Sequence, residues 1–218
     1  MNVYVVVEGP TEKHVYTRWI PLANPSLKYV EHPSLAQSDN FCIVSSMGYP
    51  VYFQVIDDAI QDVSASLVFD RLVVLVDSHD QTLGEKNAEI DKFLATKRCT
   101  VQVLIVIQHF CFEAWALGNR RLIRPSPTTQ VLRTYKRIYD VRANDPELLP
   151  PYPPKSWNRS QFAASYLRAA FNEKHRNLTY SKGQPEFVAH PKYFEQLKLR
   201  RRDTGHIPSF ASFLKAFV

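Results

Sequence analysis

The stretch VYVVVEGPTE, residues 3–12, contains the transition on which the fold prediction for this chain of 218 residues is built. The run Val3–Val7 is short, rich in β-branched residues and followed by a Gly-Pro pair, which predicts a fully buried strand. Glu8 ends this strand, the Gly-Pro pair turns the backbone tightly, and Thr11 can cap the helix that follows. A carboxylate held between a strand and a helix N-terminus suits the binding of a metal ion or a phosphate, and helix capping by Glu8 is an equally ordinary explanation.

Strand and helix patterns alternate over about the first 120 residues. Short apolar runs give the strands, and apolar residues at helical spacing give the helices. Further strands are predicted at 41–46, 71–77 and 101–107, and helices at 11–20, 51–66, 83–97 and 110–119. Strands that alternate with helices of this length predict an α/β fold with a mostly parallel, Rossmann-like sheet flanked by helices.

The region after residue 124 has a different composition. It contains two Pro-rich stretches, RPSPTT at 124–129 and NDPELLPPYPPKSWN at 144–158, of which the second is expected to lie extended on the surface. Amphipathic helices are predicted at 128–139, 160–173, 191–200 and 208–217. We therefore divide the chain into an α/β domain, residues 1–124, and a Pro-rich and helical C-terminal extension, residues 125–218, packed on it.

The charge of the chain favours an anionic partner. Lys and Arg total 27 against 21 Asp and Glu, and most of the excess lies after residue 120. This balance favours binding of nucleic acid, although solvated helix faces explain it equally well. The three cysteines show neither zinc-site spacing nor a disulfide framework, which predicts a reducing, cytoplasmic location. We expect no membrane segment and no signal peptide, because no apolar run approaches the roughly 20 residues of a membrane span.

Acidic residues follow three of the predicted strands. Glu8 ends the first, Asp77 and then Asp80 follow the third, and Glu113 lies just beyond the fourth. Because the carboxyl ends of parallel strands meet at one edge of a sheet, we expect these carboxylates to converge there. Oxygen ligands of this kind suit Mg²⁺ or Mn²⁺, and such an ion can activate water against a phosphate.

The motifs resemble those of the Toprim fold. VEGPTE at 7–12 and VVLVDSHD at 73–80 are similar to its glutamate-glycine turn and to its acidic pair. CFEAW at 111–115, TYSK at 179–182 and PSFASFL at 208–214 extend the resemblance to short bacterial Toprim-related proteins and to the overcoming-lysogenization-defect nucleases. The resemblance covers most of the chain, and it implies a nuclease that cleaves DNA or RNA.

The resemblance also implies roles for individual residues. Glu8 would be a catalytic metal ligand or general acid-base, Asp77 the first member of the acidic pair, and Glu113 a further catalytic metal ligand. Glu12, one helical turn beyond Glu8, would point back to the substrate. Similar bacterial proteins act beside an ATPase in defence against phage, so the resemblance also implies an ATPase partner.

The second position of the acidic pair departs from the family pattern. Toprim proteins have Asp-x-Asp, whereas Asp77 is followed at the second position by His79, and Asp80 comes one residue late. Asp80 could enter the metal site through a local irregularity, or His79 could act as a ligand or proton carrier, which would favour Mn²⁺ over Mg²⁺. A third possibility is a site that has lost its activity.

Basic residues near the C-terminus are candidates for substrate binding. Lys182, Arg200 and Arg201 could hold the phosphates of a nucleic acid, or they could be solvated surface residues. His109, before the helix with Glu113, is a weaker candidate for a metal ligand. The alternatives to a nuclease are a module that binds nucleic acid or an ATPase partner without cleavage and, less favoured, an enzyme of nucleotidyl transfer.

Overall fold

The computed structural model describes residues 1–46, 48, 50–175 and 180–218, and its centre is a parallel sheet. Five strands form this sheet in the order β2-β3-β1-β4-β5, and every neighbouring pair is parallel. The predicted α/β fold with a Rossmann-like sheet is therefore confirmed. The strands are β1 Val3–Val7, β2 Lys28–Tyr29, β3 Asn40–Ser45, β4 Arg71–Asp77 and β5 Gln102–Gln108.

Helices cover both faces of the sheet and form most of the C-terminal region. Three of them, α1 to α3, connect strands, as the alternating pattern predicts. No helix in the described ranges combines the length and the apolar character that a membrane crossing requires. The helices are α1 Pro10–Ala23, α2 Tyr52–Ser66, α3 Leu83–Leu94, α4 Phe112–Ala116, α5 Gln130–Ile138, α6 Arg159–Lys174, α7 Glu186–Ala189, α8 Pro191–Thr204 and α9 Pro208–Ala216.

Local sequence sets where the longer helices begin. Pro10 occupies the first turn of α1, where its missing N–H would have no intrahelical partner. Thr82 caps α3 and exchanges hydrogen bonds with Glu85, a capping box. The Pro-rich stretch 144–158 is not wholly extended, because it contains the short 3₁₀ helices Pro146–Leu148 and Pro153–Lys155.

The two faces of the sheet bury different cores. Along β1, Val3, Val5 and Val7 face a large aromatic core, and Tyr4 and Val6 face a smaller one beneath α2 and α3. This alternation follows from the period of two along a strand. All five side chains are at most 3% exposed, which explains why the strand is apolar throughout.

The C-terminal region shares the larger core with the sheet. The ring of Trp19 on α1 lies 5.4 Å from that of Phe194 on α8, and Tyr16 lies 5.1 Å from Phe213 on α9. The indole of Trp19 also donates a hydrogen bond of 3.1 Å to the carbonyl of Val188. Helices α7 to α9 therefore pack on α1, the helix that begins two residues after Glu8.

Candidate functional site

Glu8 and Asp77 meet because their strands are neighbours. Val7 on β1 pairs in register with Leu75 on β4, so Glu8 comes beside the end of β4. Oε2 of Glu8 accepts a hydrogen bond of 2.9 Å from the backbone N–H of Asp77. Both carboxylates are almost buried, with 8% and 6% of their residue surfaces exposed. Two buried carboxylates at adjacent strand ends repel each other unless a proton or a cation reduces their negative charge.

His79 completes a group of three possible ligands. Its backbone has a φ of +51°, the left-handed region, and this turns the imidazole back towards β1. Nε2 of His79 lies 2.9 Å from Oε1 of Glu8. One ligand atom each from Glu8, Asp77 and His79 lies within 4.8 Å of the others, a spacing that could hold a metal ion. The expected ligand Asp80 is exposed and is not part of this group of described residues.

The pKa values of Glu8 and Asp77 shift in opposite directions. Burial, reinforced by repulsion from Glu8 and Glu12, raises the pKa of Asp77 well above its ordinary value. Burial also acts to raise the pKa of Glu8, but hydrogen bonds from His79 and from the N–H of Asp77 outweigh it and lower that pKa. The lowered pKa favours the carboxylate form of Glu8, and the raised pKa favours the protonated form of Asp77.

Gln108 is a site residue that sequence reasoning missed. It is fully buried at the end of β5, where it pairs in register with Asp77. Its side-chain amide donates a short hydrogen bond to Oδ1 of Asp77. Among the described residues, its Oε1 atom has no hydrogen-bond partner. The signal in the sequence was a polar residue at the end of a buried strand, next to the strand that carries Asp77.

Glu12 lies on the first turn of α1 with its carboxylate close to the Gly9 backbone. A Cβ atom at Gly9 would lie 2.9 Å from Oε2 of Glu12, so a larger residue there would displace this carboxylate from its present position. Burial, with repulsion from Glu113 and Glu8, raises the pKa of Glu12 to about 7. Glu12 can therefore exchange a proton near neutral pH, as a general acid-base must.

Glu113 and Lys182 bring the C-terminal region to the same edge of the sheet. Tyr180 donates a hydrogen bond of 3.1 Å to Oε1 of Glu113, and Nζ of Lys182 lies 3.9 Å from the same oxygen. The hydroxyl of Thr11 donates to the backbone carbonyl of Lys182 at 2.6 Å. Glu113 is buried, and its negative charge is the main cause of the raised pKa of Lys182. Thr179, the first residue of the TYSK motif, lies outside the described residues.

Most of these residues line one cleft of about 350 Å³, whereas Glu113 and Gln108 lie outside its lining. This volume is large enough for a phosphate and its immediate substituents, and Lys182 lines the cleft together with the acidic residues. A cleft with one cation facing several buried acids suits a divalent ion together with an anionic substrate. The lining residues are Glu8, Gly9, Pro10, Thr11, Glu12, Ser46, Gly48, Asp77, His79, Lys182 and Gly183.

Three candidate residues lie elsewhere. Arg200 is buried, with 1% of its surface exposed, and donates to the carbonyls of Val141, Arg142 and Asn144. The prediction that Arg200 binds substrate is therefore wrong, because its guanidinium is buried and stabilises the fold. Arg201 is partly exposed and bonds the carbonyl that ends its own helix. Nδ1 of His109 lies 2.8 Å from the hydroxyl of Ser78, and His109 is outside the ligand group described above.

No family model, curated protein or solved structure matches this chain. The residues at the cleft nevertheless fit a divalent cation. A cation beside the buried carboxyl of Asp77 would offset the cost of ionising it there, and Oε1 of Gln108, which has no hydrogen-bond partner among the described residues, is a further acceptor on the side chain that bonds Asp77.

Proposed function

We propose that this chain is a divalent-metal-dependent phosphodiesterase that cleaves nucleic acid, a nuclease of the Toprim-like type. The observation that supports this proposal is the meeting of Glu8, Asp77 and His79, from the ends of two strands, with ligand atoms within 4.8 Å. Lys182, on the same cleft, supplies a positive charge for the phosphate. The net charge of +6 agrees with a polyanionic substrate.

Glu8, Asp77 and His79 would hold the metal ion, with Gln108 orienting Asp77. Carboxylate oxygens suit Mg²⁺ and Mn²⁺, and the imidazole of His79 shifts the preference towards Mn²⁺. When bound, such an ion supplies Lewis acidity to a phosphodiester oxygen and makes water more acidic. Asp77 would ligate only as the carboxylate, so its raised pKa predicts that metal affinity would rise with pH.

Glu12, Glu113 and Lys182 would act on the substrate. Glu12, with a pKa of about 7, accepts a proton from the attacking water. Lys182 stabilises the negative charge that develops on the phosphate, and Glu113 fixes the position of its ammonium at 3.9 Å. The cytoplasmic location, the ATPase partner and a role in defence against phage stay predictions from the family resemblance.

One observation favours a second candidate, a module that binds nucleic acid or an ATPase partner without cleavage. The 2.9 Å contact between His79 and Glu8 already supplies Glu8 with a partner when no cation is present. With Glu8 held by His79, the cleft could bind an anion through Lys182 instead of a cation through the acidic residues.

Cleavage assays distinguish the two candidates. Supercoiled plasmid, single-stranded DNA and RNA are incubated with the wild type in Mg²⁺ or in Mn²⁺, and with Glu8→Gln and Asp77→Asn. Both variants keep a hydrogen-bonding side chain, so the fold is retained, and we expect a loss of about 100-fold or more in rate. Asp91→Asn, an exposed acid on α3, is the matched control and keeps full activity. A wild type that binds these substrates but cleaves none of them in either metal favours the non-cleaving module.

A further inference from the structure

A basic groove lies on the surface formed by the residues after α4 together with α7 and α8. It consists of two adjoining hollows of about 760 Å³ and about 310 Å³, which share Arg121 and Gln196. The larger hollow is lined mainly by apolar and aromatic surface, and the smaller one by arginines. We call this surface the arginine groove and define it by Arg120, Arg121, Arg142, Phe187, Tyr193 and Gln196.

The positive charges of the groove arginines are only partly balanced by acidic residues. Arg120 lies 3.3 Å from Asp203, but the same carboxylate also pairs with Arg202 at 2.9 Å. Within the described ranges, the guanidinium groups of Arg121 and Arg142 form no hydrogen bond and no ion pair. Arg120 and Arg202 therefore share the one carboxylate of Asp203, and Arg121 and Arg142 have no acidic partner among the described residues. Planar guanidinium groups in this state bind phosphate with two parallel hydrogen bonds.

The larger hollow offers a stacking surface beside these charges. The side chain of Phe187 is 46% exposed, and its ring stacks on that of His175, with a centroid distance of 6.0 Å and an interplanar angle of 24°. Glu195, the acid at this hollow, is paired with Lys198 at 3.1 Å. An exposed ring next to unpaired arginines matches the two needs of a single strand, whose bases have free faces and whose backbone is anionic.

One segment of chain links the groove to the candidate metal cleft, because it contributes a lining residue to each. Lys182 lines the cleft and Phe187 lines the groove, five residues apart. Five residues span at most about 18 Å. At about 3.4 Å per nucleotide, a strand of roughly five nucleotides bridges that distance.

We propose that the arginine groove binds single-stranded nucleic acid, with phosphates on Arg121 and Arg142 and a base stacked on Phe187. The groove would thereby hold the strand whose scissile phosphate enters the cleft; this last step rests on the proposed nuclease function, whereas binding to the groove does not. Base pairs in a duplex have no free faces for Phe187, so a single strand is favoured over a duplex.

Binding measured without metal tests this proposal separately from cleavage. Fluorescence anisotropy in EDTA is used with a labelled single strand of about ten nucleotides and with a labelled dinucleotide, which is expected to bind more weakly because it covers less of the groove. The combined variant Arg121→Glu and Arg142→Glu is expected to raise the Kd for the longer strand by about 30-fold and to reduce the salt slope by about 1.4. Lys92→Glu with Arg98→Glu makes the same charge change on and after α3, on the opposite face of the sheet, and keeps wild-type affinity.

Phe187 gives an uncharged second test. Phe187→Ala is expected to weaken binding about tenfold through lost stacking, and Phe187→Leu, which keeps the apolar volume, to weaken it similarly. Should the glutamate variants lose their circular dichroism signal, Arg121→Gln with Arg142→Gln replaces them. Equal affinity of the groove variants and the control for the longer strand overturns the proposal. The proposal is also overturned if the groove variants weaken binding of a duplex as much as binding of the single strand. It is overturned as well if an acidic peptide competes for the groove as effectively as an unlabelled strand. A groove that passes these tests in a chain that cleaves nothing overturns the nuclease function alone.

Discussion

The imidazole of His79 lies 2.9 Å from the carboxylate of Glu8, at the position where the Toprim pattern would place a second aspartate. The left-handed backbone of His79, with a φ of +51°, directs this side chain inwards and leaves Asp80 exposed. The proposed metal site would therefore combine oxygen ligands with one nitrogen ligand. The choice of metal ion depends on this difference.

His79→Asp is expected to shift the metal preference of the cleft from Mn²⁺ towards Mg²⁺. A third carboxylate replaces the softer nitrogen, and aspartate tolerates the left-handed backbone of this position. Isothermal titration calorimetry should show Mg²⁺ binding tightened by about tenfold relative to Mn²⁺. His79→Ala is the control, since it removes the nitrogen without supplying an oxygen. An unchanged ratio of the two affinities in His79→Asp would show that residue 79 does not touch the ion.

Lys182→Met is expected to slow cleavage without loss of metal affinity. The variant keeps the aliphatic part of the side chain and the backbone carbonyl that anchors Thr11, but it removes the charge beside the phosphate. The loss in single-turnover rate should be about 100-fold. Lys215→Met, an exposed lysine on α9, should behave as the wild type. Metal affinity that falls together with the rate would instead make Lys182 a support for the acidic residues.

Glu147→Gln is expected to change how stability depends on pH. Glu147 is buried, accepts 3.1 Å and 2.6 Å hydrogen bonds from the N–H and hydroxyl of Ser209, and burial raises its pKa from 4.5 to about 7. Between these two values the folded chain holds a proton that the unfolded chain has released. The wild type therefore loses stability as pH rises from about 4.5 to about 7, by at most about 3 kcal/mol from this group.

Glutamine cannot ionise and still accepts from Ser209, so this part of the pH dependence should disappear in Glu147→Gln. The free energy of unfolding in urea, measured at about pH 5 and about pH 8 for both proteins, gives the difference. The wild type is measured alongside because the pKa of Glu12 is also raised, so Glu12 makes stability fall with rising pH in both proteins. Parallel pH profiles for the two proteins would count against the raised pKa.

Arg200→Met and Arg201→Met are expected to have very different effects on stability. The guanidinium of Arg200 is buried and satisfies the carbonyls of Val141, Arg142 and Asn144, which would be left without partners. We expect the free energy of unfolding to fall by about 3 kcal/mol in Arg200→Met. The neighbouring Arg201 is partly exposed, and its replacement should cost less than about 1 kcal/mol. Similar losses in the two variants would show that the buried hydrogen bonds contribute little.

Four of the five strands and the acidic edge could be predicted from sequence because they depend on local patterns, whereas the edge strand β2, two exposed residues long, was missed. Buried parallel strands are short apolar runs, and Glu8 and Asp77 follow such runs directly. The inward direction of His79 could not be predicted, since it depends on a single backbone angle. Gln108 was missed because its role comes from register across strands, which no single segment reveals. Arg200 was misjudged because a run of basic residues resembles a solvated surface, and only tertiary packing buries one of them.

The packed aromatic rings of α1, α8 and α9 limit the construction of chimeric proteins from this chain. Trp19 contacts Phe194 and Tyr16 contacts Phe213, so the helix that starts at the acidic edge is shaped to fit the end of the chain. A chimera that joins residues 1–124 to the C-terminal half of another sequence would lack matching aromatic partners. Exchange of the C-terminal half would therefore require the inner face of α1 to be transplanted with it.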